Sequence, residues 1–180
     1  VGRLQEQKGH TFLLQAIAEL VHRRQRDVQL VICGQGALES RLREQIQQLQ
    51  LADRVRLTGF VANPYPYYRS ADLFVLPSLW EGLPNTLIEA VALGTPAIAA
   101  DCPTGPREIL EDGRLGSLFT PSDVGALANA ISDIIDHLAE ARAKANIAQP
   151  VIRTKYDLNA GIQRVEGQLL SVIHSFKPSP

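Results

Sequence analysis

Short runs of β-forming apolar residues alternate along the chain with segments of helical spacing, and no other feature restricts the fold as much. The apolar runs are "DVQLVICG", "RVRLTGF", "DLFVLPS", "PAIAAD" and "GSLFT". "DVQLVICG" reads as a buried strand of β-formers, and strands of this apolar-run type suit a sheet covered on both faces. Between them lie "ALESRLREQIQQLQL", a turn and short helix in "NPYPYYRSA", "NTLIEAVALG" closed by Gly94, and the short helix "GPREILED". Ahead of them, residues 10–25 set Phe12, Leu13, Ala16, Ile17, Leu20 and Val21 at helical spacing and end in the cationic run "HRRQR", which suits the negative end of a helix. Behind them, "SDVGALANAISDIIDHLAE" reads as one long helix with Asp123 near its start, and a last helix is expected over 157–175. Strands joined by helices return to a sheet in parallel, through right-handed crossovers. The expected fold is α/β: a doubly wound, mostly parallel sheet flanked by helices.

The opening "VGRL" reads as the end of one more strand entering a loop, and the chain has no methionine. Residues 1–180 are therefore expected to form one domain of a longer protein, with an earlier domain upstream. With 18 basic and 19 acidic side chains, there is no overall electrostatic footprint for nucleic acid. Cys33 and Cys102 each close an apolar run and suit a core edge rather than a disulfide framework. No apolar run approaches the roughly 20 residues of a spanning helix. The expected location is cytoplasmic, with peripheral association of the full-length enzyme at the cytoplasmic face of a membrane left open. The ending "KPSP" reads as a frayed tail.

In such a sheet, ligands bind beyond the C-terminal ends of the strands. Gly2, Arg3 and Lys8 follow the opening strand, Gly34-Gln35-Gly36 the second, Gly59 and Phe60 the third, and Glu81 to Asn85 the fourth. Gly2 permits close backbone approach, Arg3 offers a planar donor fork and Lys8 a point charge, a set suited to the phosphates of a diphosphate and to nothing else in such a ligand. Two ordinary surface cations would read the same. "GQGALE" begins like a dinucleotide fingerprint, but Glu39 stands where its third glycine belongs. A plain strand-to-helix turn fits Gly34 and Gly36 equally well. Pro84 suits a first helical position, which sets Glu81 before the helix mouth and Glu89 about a turn and a half inside. A capping acid and a solvated acid form the simplest account of this pair. Carboxylates that flank a mouth holding phosphates would instead accept from sugar hydroxyls, one on each side of a diphosphate, which describes a nucleotide sugar.

"VGRLQEQKG", "LVICGQG", "VRLTGFV", "ADLFVLPSLWEGLPNTLIEAVALGTPAIAAD", "GPREIL" and "DGRLGSLFTPSD" fall in an order and spacing that resembles the C-terminal, donor-binding domain of GT-B retaining glycosyltransferases of the group-1, glycogen-synthase-like branch. The resemblance implies the Rossmann-like half of a GT-B fold and a nucleoside-diphosphate sugar donor, UDP-linked. It implies no metal and no further cofactor, and no Asp-x-Asp pair is present. It implies that Arg3 and Lys8 bind the diphosphate, that Glu81 holds the transferred hexose, and that these three form the catalytic set. Glu89 would take the ribose, Phe60 and Val61 would lie by the nucleobase, and main-chain groups of Gly82, Leu83, Pro84, Asn85 and Thr86 would complete the site. Many relatives carry Gly-Phe-Gly after the first glutamate, whereas Pro84 here removes one N–H donor. "DCPTGPREIL" stands in place of a commoner double-glycine form and resembles members that transfer N-acetylhexosamines or galactose to bacterial surface glycans.

The expected function is sugar transfer, with retention, to a glycan or lipid-linked acceptor held by the earlier domain. The isolated domain is expected to be inactive. An epimerase, a non-catalytic nucleotide-sugar module and the cofactor half of an oxidoreductase are the competing readings. The absent third glycine and Cys33 at the end of its strand argue against the last. Trp80 suits either a sugar face or plain packing, Tyr65, Tyr67 and Tyr68 suit a core or an interdomain surface, and His10, His22, His137 and His174 are expected at solvated helix positions without metal-ligand spacing.

Overall fold

The computed structural model describes residues 1–175. Five strands, β1 (Leu30–Cys33), β2 (Val55–Gly59), β3 (Phe74–Leu76), β4 (Ala97–Ala100) and β5 (Ser117–Phe119), alternate with eight α-helices among the described residues. The helices are α1 (His10–Ala18), α2 (Glu39–Gln48), α3 (Tyr65–Ser70), α4 (Asn85–Ala92), α5 (Pro106–Ile109), α6 (Val124–Asp136), α7 (Leu138–Lys155) and α8 (Leu158–Ser175). Every ladder is parallel. The strands form two ladders, β1-β2 and β3-β4-β5, where one continuous sheet was expected.

The doubly wound character lies in the packing. One core joins α1, α2 and α6 to Ile32, Val55, Ile98, Ala100 and Phe119. The other joins α3, α4, α5 and α7 to Phe74, Leu76, Ala97 and Ala99. Successive strand side chains point to opposite faces, so β4, with all four residues at 4% exposure or less, divides itself between the two helix layers.

Several elements differ from expectation. The opening "VGRL" is irregular rather than strand, and Glu6–Lys8 form a single 3-10 turn. The first helix ends at Ala18 and continues as a π turn, Glu19–Arg23. Asp123 does cap α6, accepting from the Ala126 N–H at 2.8 Å, but the long helix breaks at His137, and α7 then fills a stretch left without an element. The buried face of α7 is Ala141, Ala145, Ala148 and Ile152. Alanine gives little hydropathic contrast, and Pro150 lies inside the helix, so both the periodicity and the propensity signals were weak. Both cysteines are buried and free. The "KPSP" ending lies outside the described residues.

Candidate functional site

Residues 1–9 are stitched between the ends of β1 and β3. Gly2 N–H donates to Cys33 O at 2.9 Å and Leu4 N–H to Gln35 O at 3.0 Å, while Leu38 N–H donates back to Leu4 O at 3.0 Å. A Cβ on Gly34, whose φ is +151°, would fall 1.8 Å from Gly2 O, and one on Gly36 would fall 2.5 Å from Leu4 O. These two glycines thus allow two loops to touch. On the other side Leu79 N–H donates to Gln7 O at 2.8 Å, and the Gln7 amide to Trp80 O at 2.9 Å. Leu4 is fully buried and pins the segment. Arg3 is exposed; its carbonyl accepts from the Gln5 N–H at 3.0 Å, and its guanidinium makes no hydrogen bond or ion pair to the described residues.

Lys8 meets the first acid directly. Its Nζ lies 2.6 Å from Glu81 Oε1, and the Ser78 hydroxyl donates to that same oxygen at 2.7 Å. The Glu81 side chain is only 6% exposed. Burial of a carboxylate at that level requires a counter-charge and donors, and Lys8 and Ser78 supply them. Lys8 is therefore not reserved for phosphate, as the sequence suggested. The Thr104 hydroxyl donates to the Glu81 carbonyl, which ties the loop after β4 to the turn after β3. Burial, and next the charge of Glu81, push the Cys102 thiol up.

The second acid sits on α4. Pro84 lies one residue earlier than expected: it is the N-cap residue, with φ −74° and ψ 92°, and the helix starts at Asn85. The N–H groups of Leu87 and Ile88 donate to Pro84 O at 3.0 and 3.3 Å. No side chain caps the helix, so the Asn85 and Thr86 N–H groups are the orphan donors of its mouth. Glu89 is half-buried, and Tyr68 donates its phenol to Glu89 Oε2 at 2.9 Å. Tyr68 is in turn fixed by Thr95, whose hydroxyl donates to its carbonyl at 2.8 Å, and by the edge of Phe74 with ring centroids 5.5 Å apart. Burial first, and then the Glu89 charge, push the Tyr68 ionisation up, so this phenol is a permanent donor.

The structure therefore gathers Gly2, Lys8, Gly34, Gly36, Glu81 and the α4 mouth at the parallel strand ends. Leu83 is 53% and Trp80 53% exposed nearby on the loop after β3. Phe60, 71% exposed, and half-buried Val61 follow β2. Ser78, Tyr68 and Thr104 escaped the sequence reading; only the aromatic run around Tyr68 offered any signal. Of the tyrosines, Tyr68 is core, whereas Tyr65 is exposed. His22 and His137 are exposed as expected, and the side chain of His174 lies outside the described residues. His10 departs from expectation: it is 6% exposed, its Nδ1 has no partner among the described residues, and burial, aided by the charge of Lys8, pushes its pKa down to about 4. Among the described residues no cluster of three metal-ligating side chains occurs.

Comparison with known proteins identifies the family and the fold. Residues 1–137 match the family model for glycosyl transferases group 1. The chain is 34% identical over 169 residues to an alpha-D-kanosaminyltransferase of Streptomyces kanamyceticus, covering 93% of this chain and 43% of that protein. It is 32% identical over 154 residues to a Campylobacter jejuni N-acetylgalactosamine-N,N'-diacetylbacillosaminyl-diphospho-undecaprenol 4-alpha-N-acetylgalactosaminyltransferase, covering 81% and 41%. Among solved structures, Anabaena HepE in complex with UDP superposes with a TM-score of 0.86 at 28% identity, covering 94% of this chain and 47% of that one. The chain thus spans less than half the length of these proteins. It belongs to the group 1 glycosyl transferases.

Proposed function

We propose that residues 1–180 bind a nucleoside-diphosphate sugar, UDP-linked, and that the whole protein transfers the sugar with retention to a glycan or lipid-linked acceptor. The observation that carries this reading is the placement of two differently held carboxylates beside an uncapped helix mouth. Glu81 is neutralised by Lys8 and Ser78, Glu89 is oriented by Tyr68, and each keeps one oxygen free of bonds from the described residues. The free oxygens accept from sugar hydroxyls, Glu81 from the hexose and Glu89 from the ribose. The Asn85 and Thr86 N–H groups, with Arg3 and Lys8, receive the diphosphate. Charge growing on the leaving diphosphate is then met by fixed donors and cations, which lowers the barrier electrostatically. Phe60 and Val61 line the nucleobase end, and main-chain groups of Gly82 to Thr86 the sugar end. No metal enters this scheme, because the cations are the protein's own.

The UDP in the HepE complex supports the choice of base, and the undecaprenol-linked substrate in the name of the Campylobacter relative supports a lipid-linked acceptor. Contact with such an acceptor at the cytoplasmic face of a membrane is part of this proposal; among the described residues no helix is long and apolar enough to cross a membrane. A thermal-shift series with UDP, GDP and ADP and their sugars tests the donor. A rise in Tm with UDP-sugars above that with UDP alone is expected. Equal response to all three nucleotides, or none to any, overturns the reading.

A further inference from the structure

The ring of Tyr68 does its packing without help from its hydroxyl. It lies in the core shared by α3, α4 and α7 with the edge of Phe74 against it, and phenylalanine would fill that space equally well. The hydroxyl has a separate destination. It reaches from α3 to α4, a residue 21 positions away in the chain, and donates to Glu89 Oε2. The main chain of the tyrosine is fixed as well: its carbonyl accepts from the buried Thr95 hydroxyl at 2.8 Å and from the Ala71 N–H at 3.3 Å. A glutamate turns about three side-chain torsions, and a half-buried one on a helix face would otherwise sample several carboxylate orientations. One donor on a rigid ring ends that freedom. The two acids of the site are thus held by unlike partners. Lys8 offsets the charge of Glu81, whereas a phenol carries no charge and leaves that of Glu89 to a ligand. Burial first, and then the Glu89 charge, oppose loss of the phenolic proton, so Tyr68 only donates.

We propose that Tyr68 is a positioning residue that makes the site selective for the ribose diol: its hydroxyl fixes Glu89 so that Oε1 meets the diol, and a nucleotide without those hydroxyls is rejected. This rests on the reading of Glu89 as the ribose acceptor and deepens it. A carboxylate that folding has already oriented gives up no side-chain freedom when the diol arrives. It also cannot turn aside for a ligand that lacks the hydroxyls, which leaves a desolvated acceptor unpaired. Thr95 takes the chain one step further from the ligand. By holding the Tyr68 carbonyl it fixes the end of α3, and with it the direction from which the phenol reaches α4.

Calorimetry on the full-length protein with UDP and with 2′,3′-dideoxy-UDP separates this role from packing. The unsubstituted protein should prefer UDP by at least about tenfold, as a charged acceptor to a diol implies. No preference overturns the ribose reading of Glu89, and the proposal with it. Given that preference, Tyr68→Phe should weaken UDP binding about five- to tenfold, the cost of ordering one long side chain on binding, and leave the dideoxy nucleotide within about twofold. Equal losses for both nucleotides, or none for either, overturn the proposal while the ribose reading stands. In a Glu89→Gln background, Tyr68→Phe should change UDP affinity by less than about twofold, because the charged acceptor it positions is gone. A further loss of about fivefold there means that Tyr68 acts by another route, which also overturns it. Should Tyr68→Phe fail to fold, Thr95→Val decides, since the Tyr68 carbonyl keeps its Ala71 donor. The same split is then expected at roughly two- to threefold, and an unchanged preference for UDP overturns the proposal.

Discussion

Glu81 and Glu89 differ in what already holds them, so their replacement should be read by different ligands. Glu89→Gln keeps the shape and the Tyr68 contact but removes the charge, and should weaken UDP binding by roughly 1.5–3 kcal/mol, the worth of a charge-assisted bond to a ribose diol. Glu81→Gln should leave UDP affinity close to unchanged and remove the extra affinity contributed by the hexose. Calorimetry with UDP and UDP-sugar on both variants checks this, and equal losses for both ligands would sink the assignment. His10 gives a second residue-scale expectation. Folded, it takes up a proton only near pH 4, whereas in the unfolded chain it does so near pH 6.5. Between those values the unfolded state binds more protons, so the stability is complete above about pH 6.5 and is lost as pH falls toward 4, up to about 3 kcal/mol. Urea titrations at pH 7.5 and 4.5 should show a smaller acid loss in His10→Leu than in the unsubstituted protein. The strand-end positions of Arg3, Lys8, Glu81 and Glu89 were legible in the sequence because parallel strands point their C-terminal loops one way. Their partners were not: Ser78 and Tyr68 come from separate loops and helices, and only tertiary packing brings them to the carboxylates. His10 was misread because a residue opening a helix carries no sign of whether the preceding loop folds over it.

Elements were legible where composition and period agreed, as in β1, β4 and α4. They were lost where a buried face was made of alanine, as in α7, or where a helix broke without glycine or proline, as at His137. The division of the sheet into two ladders was not legible, because no strand run records which edge it pairs with. The loop after β4 offers the element-scale test. Gly105 has φ +89°, and a Cβ there would lie 2.3 Å from Gly82 O and 2.6 Å from the Pro84 ring. Gly105→Ala should therefore cost at least about 2 kcal/mol, through the left-handed backbone and the clash together, and should weaken donor binding by displacing the turn that carries Glu81. A Cβ on Gly82 would meet nothing within 4 Å, so Gly82→Ala should change the urea midpoint little. Equal midpoints for the two variants would show that the seam between these loops is slack.

At the scale of the whole molecule, the site is a rim on one side of a sheet, with Phe60, Trp80 and Leu83 open above it. A transfer reaction needs an acceptor held against the donor and water kept away. Residues 1–180 alone should bind UDP-sugar and transfer nothing, while the full-length protein turns over, and radiolabelled donor with product analysis checks both. Transfer by the domain alone would place the acceptor site within this rim. The middle of the sheet imposes the opposite condition. Three of the four residues of β4 are alanine, and the strand is sealed by a helix layer on either side. Any larger side chain at Ala97, Ala99 or Ala100 must push a helix layer outward, which close-packed interiors resist. Change is tolerated instead at the exposed rim, at positions such as Phe60 and Leu83. Substitutions at the rim therefore leave the stability of the domain nearly unchanged, whereas the interior of the sheet accepts almost none.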